Sequence, residues 1–183
     1  ITNAAKDSQS EIIIAEPVGS CTDLSATIMQ PLKEKLGEDF IVAPLTVLAD
    51  PDRLADILNG GTAGLHESAA YIFRKQLEEA DLILISKKDL LDPADLETLI
   101  KQAKKEWPLA QISSVSAKTG EGLDSWLCEV MTRSDSGTHL AEVDYDTYAE
   151  GEAVLGWLNA TFKLTGQAVG WSSLMSSFIQ DLG

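Results

Sequence analysis

The sequence predicts an α/β fold, a parallel sheet with helices on its faces. Two observations carry this. Short apolar runs alternate with amphipathic stretches along the chain, which is the signature of βαβ units. Two of those runs, Leu82-Ile83-Leu84-Ile85 and the one closing at Ser114-Val115, stop abruptly in small and charged residues. Buried parallel strands end this way where they deliver polar groups to a ligand at their carboxyl ends. A chain of 183 residues is long enough to bury a sizeable core in one domain.

In chain order, strands are expected at about 11–15 (Glu-Ile-Ile-Ile-Ala), 41–48, 81–86 and 110–115, with helices near 22–36, 51–58, 66–79 and 93–106. Asp50-Pro51 and Asp92-Pro93 mark helix starts, an Asp at the N-cap followed by a Pro at the first helical position. Gly120-Glu121-Gly122-Leu123 opens a further helix to about Arg133. Its Leu123, Trp126, Leu127 and Val130 share one face, expected against the sheet. Residues 134–140 (Ser-Asp-Ser-Gly-Thr-His-Leu) read as a flexible linker. Beyond it, Tyr145 to Leu158 and Trp171 to Leu182 read as helices, and Asn159 to Val169 as a strand of an appended lobe. The organisation is thus a main unit over 1–133, then a linker and the start of an α-rich C-terminal lobe over 134–183.

Composition narrows the function classes. The net charge of −15 disfavours nonspecific binding to nucleic acid or an anionic membrane. It does not disfavour a nucleotide, whose phosphates are held by local backbone N–H groups and a Lys. No apolar run approaches the roughly 20 residues of a membrane span, and no signal peptide is visible. Two cysteines, Cys21 and Cys128, cannot build a disulfide framework, so a reducing, cytoplasmic setting is expected. With His66 and His139 scattered far from them, they show no metal-ligand spacing; the cysteines read as structural thiols and the histidines as surface residues. Ser20, Ser68 and Ser116 lie in no nucleophile-elbow pattern, which disfavours a hydrolase triad. Trp107, Trp126, Trp157 and Trp171 read as core or tail packing.

The two strand ends carry the sharpest chemistry. Ser86-Lys87-Lys88-Asp89 followed by Ser116-Ala117-Lys118 is a guanine-binding arrangement. The Asp89 carboxylate would accept from the guanine N1–H and exocyclic amine, a donor pair adenine lacks. The Lys87 stem would lie along the base, and the Ser116-Ala117-Lys118 backbone would offer an N–H to guanine O6. Ser86 stands where an Asn is usual and can make one tie to neighbouring backbone where Asn makes two. The competing reading of Lys87-Lys88-Asp89 is a solvated strand–helix loop. Upstream, Glu16-Pro17-Val18-Gly19 ends the first expected strand. Glu16 would orient a Mg²⁺-bound water or the attacking water, and Gly19 would let backbone approach a phosphate closely. The competing reading is a plain strand end with Gly19 in a turn. Arg53 and Arg74 are assigned no role.

Taken together, Glu16-x-x-Gly19, Ser86-Lys87-Lys88-Asp89-Leu90 and Val115-Ser116-Ala117-Lys118-Thr119-Gly120-Glu121-Gly122 resemble the metal-cofactor-maturation GTPases that include CobW, HypB and UreG. The resemblance covers roughly 11–133. The continuation Glu16-Pro17-Val18-Gly19-Ser20-Cys21-Thr22-Asp23 and the tail Tyr148 to Asn159 look closest to the CobW-like branch. It implies a P-loop-NTPase-like sheet, GTP/GDP and Mg as cofactors, and slow hydrolysis with Glu16 and Gly19 catalytic. It further implies metal or cobalamin cofactor delivery to a client metalloenzyme or cofactor-synthesis protein, and a homodimer across the nucleotide face.

The chain departs from the family pattern in two places. It contains no Gly-x-x-x-x-Gly-Lys-[Ser/Thr] loop and no Cys-x-Cys-Cys metal motif. In the family both lie upstream of the Glu-x-x-Gly strand, and the phosphate-loop strand sits between the runs at 11–15 and 41–48. The expectation is therefore the later portion of a longer protein, lacking its N-terminal strand, with any transition metal bound by upstream residues. Against the GTPase reading stands a scaffold or partner-docking domain of the same fold that does not turn over nucleotide.

Overall fold

In the computed structural model of the chain, residues 11–155, 161, 163 and 170–182 are described. Three parallel strands, β1 (Thr46–Ala49), β2 (Leu82–Ile85) and β3 (Gln111–Ser114), form one sheet in the order β1-β2-β3. The helices are α1 (Gln30–Leu36), α2 (Pro51–Leu58), α3 (Glu67–Glu79), α4 (Pro93–Glu106), α5 (Leu123–Thr132), α6 (Tyr145–Leu155) and α7 (Trp171–Leu182). The α/β class and parallel sheet expected from the alternating runs are therefore present. No helix among the described residues is long and apolar enough to cross a membrane.

The core follows from β2, whose four residues are all buried in the strand that lies between β1 and β3. Ile83 and Ile85 join Leu54 and Ile57 of α2, Leu77 of α3, Leu99 and Ala103 of α4, and Ile112 of β3 in one apolar cluster. At roughly 25 cal/mol per Å², such burial is the main stabilising term of the fold. Asp50 caps α2, its side chain accepting from Asp52 N at 3.1 Å and Arg53 N at 3.3 Å. Asp92 occupies the equivalent position before α4 but makes no side-chain cap.

Several expectations are corrected. Residues 11–15 form no strand; Ile12 and Ile14 are 59% and 85% exposed, because among the described residues β1 is the sheet edge and no strand stands between it and this segment. The strand expected from residue 41 begins at Thr46. Pro44 has no N–H to give a ladder, and the Val42 carbonyl accepts instead from the Ser136 hydroxyl at 2.6 Å. The helix expected over 22–36 opens as a π turn, Ser25–Met29, before α1. Pro31 lacks the N–H an α ladder would need there, and the wider turn accommodates it.

The segment read as a flexible linker is tied to the body. Ser136 and Gly137 are buried, Gly137 N donates to Asp81 Oδ2 at 2.6 Å, and Lys33 Nζ donates to the Ser136 carbonyl. His139, read as a surface residue, is largely covered, with Nδ1 3.0 Å from the Ala80 carbonyl. His66 is exposed as expected and accepts from Ser68 N at the start of α3. Helix α6 packs on α3 across Gly151, where an added Cβ would lie 2.6 Å from both Ile72 Cδ1 and the Ser68 carbonyl oxygen. The α5 face is less covered than expected, with Leu127 46% exposed, though Trp126 Nε1 donates to Thr46 Oγ1 at 3.1 Å. Trp107 is buried, whereas Trp171 is exposed and packs no core. Trp157 and the strand expected over 159–169 fall outside the described residues, apart from 161 and 163, which belong to no strand.

Candidate functional site at the carboxyl ends of the strands

Parallel strands in register bring their carboxyl ends to one edge of the sheet. Pairing of Ala49 with Ile85, and of Ile85 with Ser114, places the residues that follow each strand side by side. Ser86 N and Ser86 Oγ both donate to the Ala49 carbonyl, at 2.9 and 3.1 Å. The Ser86 side chain is thus tied to the end of β1. Val115 N donates to the Ile85 carbonyl at 2.8 Å, and Lys88 N to the Val115 carbonyl at 3.1 Å. The loops after β2 and β3 are thus bonded to each other and act as one unit.

Within this unit Lys87 has φ 54° and ψ 32°, the left-handed conformation uncommon for a residue with a Cβ. The turn swings its side chain back toward β1, where Nζ lies 2.7 Å from Asp50 Oδ2. Asp89 is exposed in the short 3₁₀ turn Lys88–Leu90. The Ser116 hydroxyl beside it holds its carboxyl below the usual carboxylate range, and the Lys118 charge adds to the effect. Asp89 is therefore ionised at neutral pH and can accept hydrogen bonds but not donate them.

Ser116 is fully buried and organises its own loop. Its N donates to the Glu121 carbonyl at 2.9 Å, its Oγ accepts from Thr119 N at 3.1 Å, and its carbonyl accepts from Gly120 N at 2.9 Å. Ala117 and Lys118 are left exposed at the loop tip. Lys88 braces the pair of loops, Nζ lying 2.6 Å from Glu121 Oε1. Gly122 closes the turn at φ +85°, and a Cβ there would come 2.4 Å from the Ser114 carbonyl oxygen.

A cleft of about 600 Å³ opens beside this unit, lined by Gly19, Leu48, Asp50, Asp52, Arg53, Phe73, Gln76 and Lys87. Gln76 of α3 holds the Gly19 loop there, its Nε2 donating to the Gly19 and Cys21 carbonyls at 2.9 and 2.8 Å. The structure thus gathers Gly19, Ser86, Lys87, Asp89, Ser116, Ala117 and Lys118 at one end of the sheet. Glu16 is exposed in the same loop as Gly19 and does not line the cleft. Arg53 lines it, whereas Arg74 is turned away to donate to the Gly61 carbonyl.

Sequence reasoning missed Asp50 and Gln76 as parts of this edge. Asp50 was legible only as a helix cap, and nothing in the pattern around Gln76 separates it from any polar helix residue. Among the described residues no cluster of three or more His, Cys, Asp or Glu could hold a metal through protein ligands alone. A magnesium ion, which keeps several waters and binds one or two carboxylates plus phosphate oxygens, fits an exposed carboxylate such as Glu16.

A family model described as CobW/HypB/UreG, nucleotide-binding domain, matches residues 1–114. The match takes in Glu16, Gly19 and Ser86 to Asp89 and stops at the end of β3, just before the Ser116-Ala117-Lys118 loop. Neither the curated proteins nor the solved structures contain a match to the chain.

Proposed function

Because the chain belongs to the CobW/HypB/UreG nucleotide-binding-domain family, we propose that it is the guanine-binding portion of a GTPase that assists delivery of a metal or cobalamin-type cofactor to a client enzyme. The observation that carries this reading is the pairing of two loops. Asp89 in the loop after β2 and Ser116 in the loop after β3 are brought together by adjacent parallel strands, and Lys88 N donates to the Val115 carbonyl between the two loops. An ordinary solvated strand–helix loop has no need to be bonded to the neighbouring loop and braced to it by Lys88 and Glu121.

In this reading Asp89 selects guanine by accepting from N1–H and the exocyclic amine, and Lys87 lies along the base. Ser86 fixes the loop to β1. The Ser116-Ala117-Lys118 backbone, exposed at its tip, donates to guanine O6. Gly19 brings backbone to the phosphate side of the cleft, and Glu16 holds magnesium through water or directs the attacking water. The magnesium, when bound, neutralises charge on the β and γ phosphates. GTP and GDP are the nucleotides, and the client, the delivered metal and a homodimer across this face follow from the family alone.

A second reading, a nucleotide-binding scaffold without turnover, is favoured by one observation. Glu16 lies outside the cleft that Gly19 and Lys87 line. GTP turnover measured beside GTP binding separates the two, since the scaffold binds without releasing phosphate.

Base recognition is tested by Asp89→Asn. An Asn amide pairs with the xanthine edge in place of the guanine edge, so the ratio of GDP to XDP affinity should fall by about tenfold or more. An unchanged ratio would remove Asp89 from the base site.

A further inference from the structure

Lys87 belongs to the base site, yet its long side chain is caught at its tip by a residue outside the guanine motif. The contact is built by the strand register. Because Ala49 pairs with Ile85, Asp50 and Ser86 leave β1 and β2 side by side, and Ser86 is bonded twice to the Ala49 carbonyl. The left-handed backbone of Lys87 then turns the ammonium across to Asp50 Oδ2 at 2.7 Å. Left-handed residues that carry a Cβ persist where surrounding contacts over-determine them, and they cluster at ligand sites.

Asp50 is not a loosely placed surface acid. Its Oδ1 accepts from Asp52 N and Arg53 N at the start of α2, so the carboxylate plane is fixed before Lys87 arrives. The Asp50 side chain is 28% exposed and that of Lys87 59% exposed. The Asp50 carboxylate, by its hydrogen bond and its charge, is the main cause that raises the Lys87 ammonium above its ordinary value, with Asp52 adding to it and Arg53 opposing it. The ammonium in turn holds the Asp50 carboxyl below the usual carboxylate range.

We propose that Asp50 is a positioning residue for base recognition. Its capped carboxylate anchors the Lys87 ammonium at the edge of the cleft, so that the aliphatic stem is laid out before the base docks. The proposal rests on the guanine reading above and extends it to a residue that reading does not use. A lysine stem immobilised in advance has less rotamer freedom to lose when the base lands on it, which is affinity gained by preorganisation.

The test is a double-mutant cycle on the full chain, with GDP binding measured by calorimetry for wild type, Asp50→Asn, Lys87→Met and the double variant. Asn is itself a good helix cap, so Asp50→Asn removes the charge and keeps the start of α2. Asp50→Ser, a second capping residue, repeats the test should the Asn variant fold poorly. The expected result is a loss of GDP affinity of about two- to fivefold for Asp50→Asn, the scale of one exposed ion pair. That loss should vanish in the Lys87→Met background. A merely structural role would lower affinity equally in both backgrounds, and that outcome overturns the proposal. So does wild-type affinity in Asp50→Asn and Asp50→Ser while Lys87→Met weakens binding; here the guanine reading stands. Absence of GDP binding by the wild type overturns the guanine reading, and this proposal with it.

Discussion

Glu79 and Asp81, on either side of Ala80, hold distant parts of the chain together from inside the protein. Glu79 is 1% exposed and accepts from Thr22 Oγ1 at 2.9 Å and Ser25 N at 3.1 Å, so it caps the turn that leads into α1. Asp81 is fully buried and accepts from Leu45 N at 2.8 Å and Gly137 N at 2.6 Å, pinning the entry to β1 and the segment after α5. Burial pushes the Glu79 carboxyl up from 4.5, and its hydrogen bonds offset only part of that. An acid whose folded-state value lies above its unfolded one binds its proton more tightly when folded. Its stabilising contribution is then present below about pH 4.5 and is lost as pH rises through the folded value. Urea unfolding of wild type and Glu79→Gln at pH 4.5 and 7 checks this: the wild type should lose stability relative to the variant as pH rises. A pH-independent difference would show that Glu79 keeps its ordinary value.

At the scale of elements, the proposed base site depends on the turn between β3 and α5. Ser116 can face Asp89 only if the chain reverses within a few residues, and Gly122 makes that reversal in a left-handed conformation against the Ser114 carbonyl. Gly122→Ala adds a Cβ where both conformation and space forbid it. The expected cost is about 1–3 kcal/mol, read as a lowered urea midpoint, with GDP affinity falling because the Ser116-Ala117-Lys118 loop is displaced. If stability and affinity both stay at wild-type values, the turn does not set the loop. Helix α3 has the complementary part on the other side, holding the Gly19 loop through Gln76 and the turn before α1 through Glu79.

For the molecule as a whole, the sheet has an asymmetric edge. β3 is followed by bonded loops and α5, while β1 presents Leu48 at 65% exposure, and Ile12, Ile14 and Ile41 are exposed as well. Unpaired strand edges carrying apolar side chains template association with other chains. In sedimentation velocity the wild type should therefore self-associate as concentration rises, and Leu48→Lys should lower that while changing stability by no more than about 0.5 kcal/mol. Self-association unchanged by the charge would locate it elsewhere on the surface.

What the sequence determined by itself was the local and periodic part. The apolar runs specified β2 and β3, Asp50-Pro51 and Asp92-Pro93 marked where α2 and α4 begin, and the spacing of Asp89 and Ser116 pointed to one shared site. These features are written in neighbouring residues and need no tertiary partner to be legible. Tertiary structure alone decided what depends on which segments meet. The run Glu-Ile-Ile-Ile-Ala over 11–15 has every local mark of a strand, yet a strand exists only when another backbone pairs with it. The segment 134–140 has a linker's composition, yet Asp81, Lys33 and Val42 hold it against the body. Asp50 reads locally as a helix cap, and the register of two strands 36 residues apart in sequence is what places it against Lys87.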